Sequence, residues 1–159
     1  MRLALAVALC LIAGVAHASE WGLIEAGVTT QDAVRARYGG ATKTTSAKVE
    51  GYDSTRWVYE AAQAPPGFAR MTVDFGILTP QGFKPSIVRV LQLEPNPNIF
   101  TRDIVLAGWG APDRLSKDKD ADVFFYEAGL IVYFDRDGRL ATTLIFTPRQ
   151  KPSDSPAPR

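Results

Sequence analysis

From residue 56 to residue 146 the chain alternates short apolar runs with clusters of turn-forming residues. The runs Arg56-Trp-Val-Tyr-Glu-Ala61, Met71-Thr-Val-Asp-Phe75 and Ile87-Val-Arg-Val-Leu-Gln-Leu93 are followed by Val123-Phe-Phe-Tyr-Glu-Ala128, Leu130-Ile-Val-Tyr-Phe134 and Leu140-Ala-Thr-Thr-Leu-Ile-Phe146. Each is rich in β-branched and aromatic residues and bounded by Gly, Pro or Asp, which predicts strands. Asp135-Arg-Asp-Gly138 is turn chemistry and predicts a hairpin. Glu127-Ala-Gly129 reads as a further turn, and Gly76 to Pro85 as a longer loop. Alternation puts Trp57, Tyr59, Val73, Phe75, Phe124, Tyr126, Val132 and Phe134 on one face of their sheets, as the predicted core. The opposite face mixes Arg56, Val58, Glu60, Thr72, Asp74, Phe125, Glu127, Ile131, Tyr133 and Asp135.

Two segments have a helical pattern instead. Thr30-Gln-Asp-Ala-Val-Arg-Ala-Arg-Tyr-Gly39 and Thr101-Arg-Asp-Ile-Val-Leu-Ala-Gly-Trp-Gly110 match at a spacing of 71 residues. In each, Thr suits an N-cap, and Asp falls in the first turn, where the helix dipole favours negative charge. Val34 with Tyr38, and Val105 with Trp109, are i,i+4 pairs on one helix face. Gly39 and Gly110 suit helix stops. The strand runs that follow also correspond in order. The expected fold is therefore α+β: two tandem units, each a short helical segment packed on a three- to four-stranded antiparallel sheet. The boundaries expected are a first unit over 19–94 and a second over 95–148.

The ends of the chain follow other patterns. Arg2, the uncharged apolar stretch Leu3 to Val15, and Ala16-His17-Ala18 read as a secretory signal peptide over 1–18, cleaved after Ala18. The apolar stretch is shorter than the roughly 20 residues a membrane-spanning helix needs. Cys10 lies inside it, so no lipoprotein acceptor follows the small residues. The expected location is the periplasm or the medium, with no integral membrane segment after cleavage. Residues 149–159, with three prolines in Lys151-Pro-Ser-Asp-Ser-Pro-Ala-Pro-Arg159, read as a disordered tail.

Signal removal changes the chemistry left to the chain. Cys10 and His17 are its only Cys and His, and losing Arg2 from the 18 basic residues balances the 17 acidic ones. A neutral chain gives no nucleic-acid footprint. Without His or Cys the usual general base, thiolate nucleophile and most transition-metal sites are gone, so no cofactor and no metal are expected. Ser116-Lys-Asp-Lys119 spells S-x-x-K, but in a charged stretch and without the partner motifs of that signature. Asp118-x-Asp120-x-Asp122 begins like a calcium loop, yet Val123 and Gly129 stand where the loop glycine and the bidentate Glu belong. A hydrolase using carboxylates or Ser-Lys is the enzymatic alternative; the leading expectation is that the chain is not an enzyme.

The motif Gly27-Val-Thr-Thr…Val34…Tyr38-Gly39, a Trp-x-Tyr strand and the hairpin Tyr133-Phe-Asp-Arg-Asp-Gly138 resemble the SmpA/OmlA (BamE-like) group. They also resemble the β-lactamase inhibitory proteins, which carry two such units on one chain. Trp109-Gly-Ala-Pro112 fits that pattern closely, whereas the first segment has Ala41 at the Pro position and an insertion around Gln63–Pro66. The resemblance implies an exported, non-catalytic module of the bacterial envelope that binds another protein, of inhibitor or immunity type. A structural factor in outer-membrane assembly is the alternative it also implies. The mature chain lacks both the lipid-acceptor Cys of the first group and the disulfides of the second. Candidate partner-binding residues are Phe125, Tyr133, Arg56 and Asp74 from the mixed sheet face, together with Arg89.

Overall fold

A computed structural model of the chain describes residues 20–149. The signal-peptide reading of 1–18 and, beyond Arg149, the tail reading lie outside the described residues. A small hairpin of β1 (Glu20–Trp21) and β2 (Ile24–Glu25) precedes α1 (Gln31–Tyr38), β3 (Lys43–Val49) and β4 (Tyr52–Glu60). A 3-10 turn at Ala61–Gln63 leads to β5 (Phe68–Thr79) and β6 (Gly82–Pro95). Then come α2 (Arg102–Trp109), β7 (Arg114–Asp118), β8 (Ala121–Tyr126), β9 (Leu130–Phe134) and β10 (Ala141–Phe146).

The expected pair of helix-on-sheet units is corrected by the strand pairing. β3 to β10 form one eight-stranded antiparallel sheet in the order β3-β4-β5-β6-β10-β9-β8-β7, and β1-β2 form a separate two-stranded one. The seam is β6 against β10, with Leu93 opposite Leu144, Gln92 opposite Ile145 and Leu91 opposite Phe146. Burial explains the fusion. Leu91, Leu93, Leu144 and Phe146 are all fully buried; two separate sheets would each end on an apolar edge with unpaired backbone. Only strands far apart in sequence meet there, so no local pattern announces it.

The helices close as their sequences predict. Thr30 Oγ1 accepts from the Ala33 amide at 3.2 Å, and Thr101 Oγ1 from the Ile104 amide at 3.3 Å. Gly39 and Gly110 end the helices at φ 75° and 79°, and their amides donate to Arg35 and Leu106. A tyrosine hydroxyl also reaches each stop: Tyr59 Oη donates to the Gly39 carbonyl at 3.2 Å, and Tyr126 Oη to that of Gly110 at 3.1 Å. Val34 and Val105 are fully buried under their helices. Tyr38 meets Tyr59 edge-on, Trp109 meets Phe146, and Trp21 of the small hairpin meets Phe68. Both helices and the β1-β2 hairpin thus cover one sheet face. All eight residues placed on the core face by alternation are buried.

Three local readings change. The stretch Gly76 to Pro85 is not a long loop: β5 and β6 run on to a tight turn with Thr79 opposite Gly82. Gly76 makes this possible at φ 93°, because a Cβ there would sit 2.8 Å from the Phe83 ring. Phe83 in turn stacks on Tyr52 with centroids 4.5 Å apart. The charged stretch around Ser116 is strand β7, and Lys43–Val49 is a strand that the apolar pattern does not mark. The Asp135 turn forms as predicted: its carboxylate accepts from the amides of Arg139 and Leu140 at 2.8 and 3.2 Å.

Candidate functional site: the open sheet face

The face away from the helices is organised in cross-strand rows. One row runs unbroken over all eight strands: Lys43, Val58, Thr72, Gln92, Ile145, Ile131, Phe125 and Arg114 are successive register partners. From Val58 to Phe125 every member is half-buried. Side chains standing in such a row cover one another in part.

On β4, β5 and β6 two charged triads flank this row. Arg56 and Asp74 are register partners and form a two-point ion pair, Nε to Oδ1 at 2.5 Å and Nη2 to Oδ2 at 2.8 Å. Arg89 approaches Asp74 Oδ2 at 3.7 Å from the other side. Asp74 is only 8% exposed, so the two guanidiniums replace the water its carboxylate loses. The hydrogen bonds that Arg56 donates to Asp74, and then the negative charge of that carboxylate, hold the Arg56 pKa above its ordinary value. The Nε of Arg89 is buried and has no hydrogen-bond partner among the described residues.

Arg89 reaches this face through a β-bulge. The register shifts between Asp74 and Phe75, which are opposite Val90 and Val88. The extra residue, Arg89, lets Val88 and Leu91 both enter the core while its own side chain turns to Asp74. Beyond the central row the charges invert: Arg70 lies between Glu60 at 3.2 Å and Glu94 at 3.5 Å. Sequence reasoning passed over this second triad, although Glu60 sits on the mixed face and Arg70 is its register partner.

On β8 and β9 the same face is aromatic and aliphatic. Phe125 carries the Arg114 guanidinium 4.5 Å above its ring. Tyr133 lies opposite Val123, which is buried without belonging to the main core. The five candidate residues therefore share one face but form no single cluster. Arg56, Asp74 and Arg89 are in contact; Phe125 belongs to the central row; Tyr133 lies along the sheet on the side away from Asp74. The residues considered for catalysis are held elsewhere. Ser116 is on β7, Lys119 is in the turn after it, and Asp135 serves its own turn. Asp122 pairs with Arg102 at 2.8 Å and with Lys117 at 3.5 Å, and the Arg102 hydrogen bond, with the nearby Lys117, holds its pKa below the usual carboxylate value.

A solved protein shares this fold. The chain is similar to the crystal structure of a DUF4309 family protein, YjgB, from Bacillus subtilis subsp. subtilis str. 168, with a TM-score of 0.50 and 10% identity. The likeness covers 79% of this chain and 83% of that one. At that identity it concerns the fold alone. No protein-family model and no curated protein matches the chain.

Proposed function

We propose that this chain is an exported, non-catalytic protein-binding module of inhibitor or immunity type, and that its partner docks on the open sheet face. The observation that supports the reading is the central row from Val58 to Phe125, half-buried across six strands and edged by the Arg56–Asp74–Arg89 triad and Tyr133. Protein interfaces combine these parts: apolar and aromatic anchors near the centre, and arginines whose geometry is fixed before the partner arrives. Ion pairing to Asp74 holds Arg56 in place, so little side-chain entropy remains to be lost on docking. The chemistry of the chain agrees. Its only His and Cys are at positions 17 and 10, and among the acids Asp135 is engaged by its own turn and Asp122 by Arg102 and Lys117.

The test uses the full chain as bait against periplasmic and culture-supernatant extracts, with Tyr133→Ala beside it. One enzyme recovered in stoichiometric amount, held about tenfold more weakly by Tyr133→Ala at an unchanged melting temperature, is the expected result. Recovery of outer-membrane assembly components instead would put the envelope-factor reading in its place. A large loss of stability in Tyr133→Ala would show that Tyr133 is structural and the face wrongly assigned.

A further inference from the structure

We propose that β7 is a homodimerisation edge, pairing antiparallel with β7 of a second copy about a two-fold axis at Ser116. β7 is the last strand of the sheet, and all five of its residues are exposed. Its tight turn through Lys119 and Asp120, both at positive φ, closes on the pair Asp118–Ala121. A two-residue turn closes on a hydrogen-bonded pair, and such pairs alternate along the ladder. Arg114, Ser116 and Asp118 therefore turn their backbone groups to β8, while Leu115 and Lys117 direct theirs out of the sheet.

The charges on this strand are complementary to themselves. Antiparallel pairing about Ser116 sets Arg114 of each copy opposite Asp118 of the other, and Leu115 opposite Lys117. The second set supplies the outward amides and carbonyls, giving four backbone hydrogen bonds between copies. The first set supplies two ion pairs on the open face. Neither Arg114 nor Asp118 has an ion-pair partner among the described residues, so both charges are available. On the helix face Leu115 is 63% exposed, beside a shallow depression of about 270 Å³ lined also by Arg102, Ser116, Lys117 and Asp122. The aliphatic stem of the other copy's Lys117 would cover it. The opposite edge lacks this property. β3 carries Lys43 and Lys48 and no acidic residue, the charge pattern that keeps sheet edges apart.

The contact is small, so the dimer is expected to be weak and to form at high protein concentration. Sedimentation equilibrium on protein purified from cells expressing the full chain would show a monomer–dimer equilibrium, with amides of Leu115 and Lys117 shifting with concentration in NMR spectra. Arg114→Glu and Asp118→Lys should each weaken the dimer by about tenfold. Mixing the two single variants, or combining both changes in one chain, restores opposite charges at both contacts and should restore association. That rescue separates pairing from misfolding, and because it is read on the purified chain alone it does not depend on a partner, although Arg114 itself lies over Phe125 on the open face. A monomer at every concentration, a dimer indifferent to both reversals, or a species growing beyond two copies through β7–β3 contacts would each overturn the proposal.

Discussion

The two halves of the sheet share a framework and differ in what they place on it. In β3–β6 and in β7–β10 a Thr-capped helix ends on a glycine whose carbonyl accepts from a strand tyrosine, Tyr59 in one half and Tyr126 in the other. Each helix start is also bridged toward the last strand of its half, Thr30 to Ile87 in β6 and Thr101 to Leu140 just ahead of β10. The core faces are correspondingly alike. On the open face the first half is ionic, with triads of opposite net sign around Asp74 and Arg70. The second half is apolar, with Phe125, Ile131, Tyr133 and Ile145. Freedom from core packing lets the outer face diverge while the inner face is held to a pattern.

Whether these halves behave as one body is the first point to break. Leu144 on β10 is fully buried and faces Leu93 of β6 across the seam. Leu144→Ala should cost about 2–5 kcal/mol through lost burial and the cavity left. With one sheet and one core, thermal unfolding should remain a single transition, seen equally by hydrogen exchange in β4 and in β9. Two separated transitions would show that the seam only joins bodies that fold apart.

The second contrast concerns the open face itself. Asp74→Asn leaves the Arg56 and Arg89 guanidiniums side by side without a countercharge. Arg56 is more than half exposed, so water screens much of this, and a loss of about 1–2 kcal/mol is expected. Tyr133→Ala in the apolar half should change stability by no more than about 0.5 kcal/mol. Denaturant titration of the two variants separates an ionic cluster that stiffens the sheet from aromatic surface free for a partner. Equal losses would erase the distinction.

What could be read from the residues follows from where burial acts. β4, β5, β6, β8, β9 and β10 each bury one face, so alternation marks them, and so do the Thr and Gly ends of both helices. β3 and β7 are held almost wholly by backbone pairing and expose nearly every side chain; an edge strand with no buried face leaves no apolar period to read. The seam was illegible for another reason. Leu93 and Leu144 announce burial, but not burial against each other, and two matching segments read most simply as two separate sheets. On the open face, alternation placed Arg56, Asp74, Phe125 and Tyr133 correctly. Arg89 joins them only through a bulge, which shifts the alternation by one and has no signal in the run Ile87 to Leu93.

The last pair of variants tests the shared framework. Tyr59→Phe and Tyr126→Phe each remove one hydrogen bond to a helix-ending carbonyl, at a cost of about 0.5–1.5 kcal/mol near neutral pH. If the halves use the same device, the two losses should agree. Burial, the largest cause at both sites, raises each tyrosine's pKa above its ordinary value. The unfolded chain releases these protons at about pH 10, while the folded chain keeps them to higher pH. Between those limits the folded state holds more protons, so stability is level below about pH 10 and falls as pH rises further. Each phenylalanine variant should flatten part of that alkaline fall, and the double variant should flatten more than either. A fall of unchanged steepness in Tyr126→Phe, beside a flattened one in Tyr59→Phe, would mean that only the first half buries its tyrosine in the way the geometry requires.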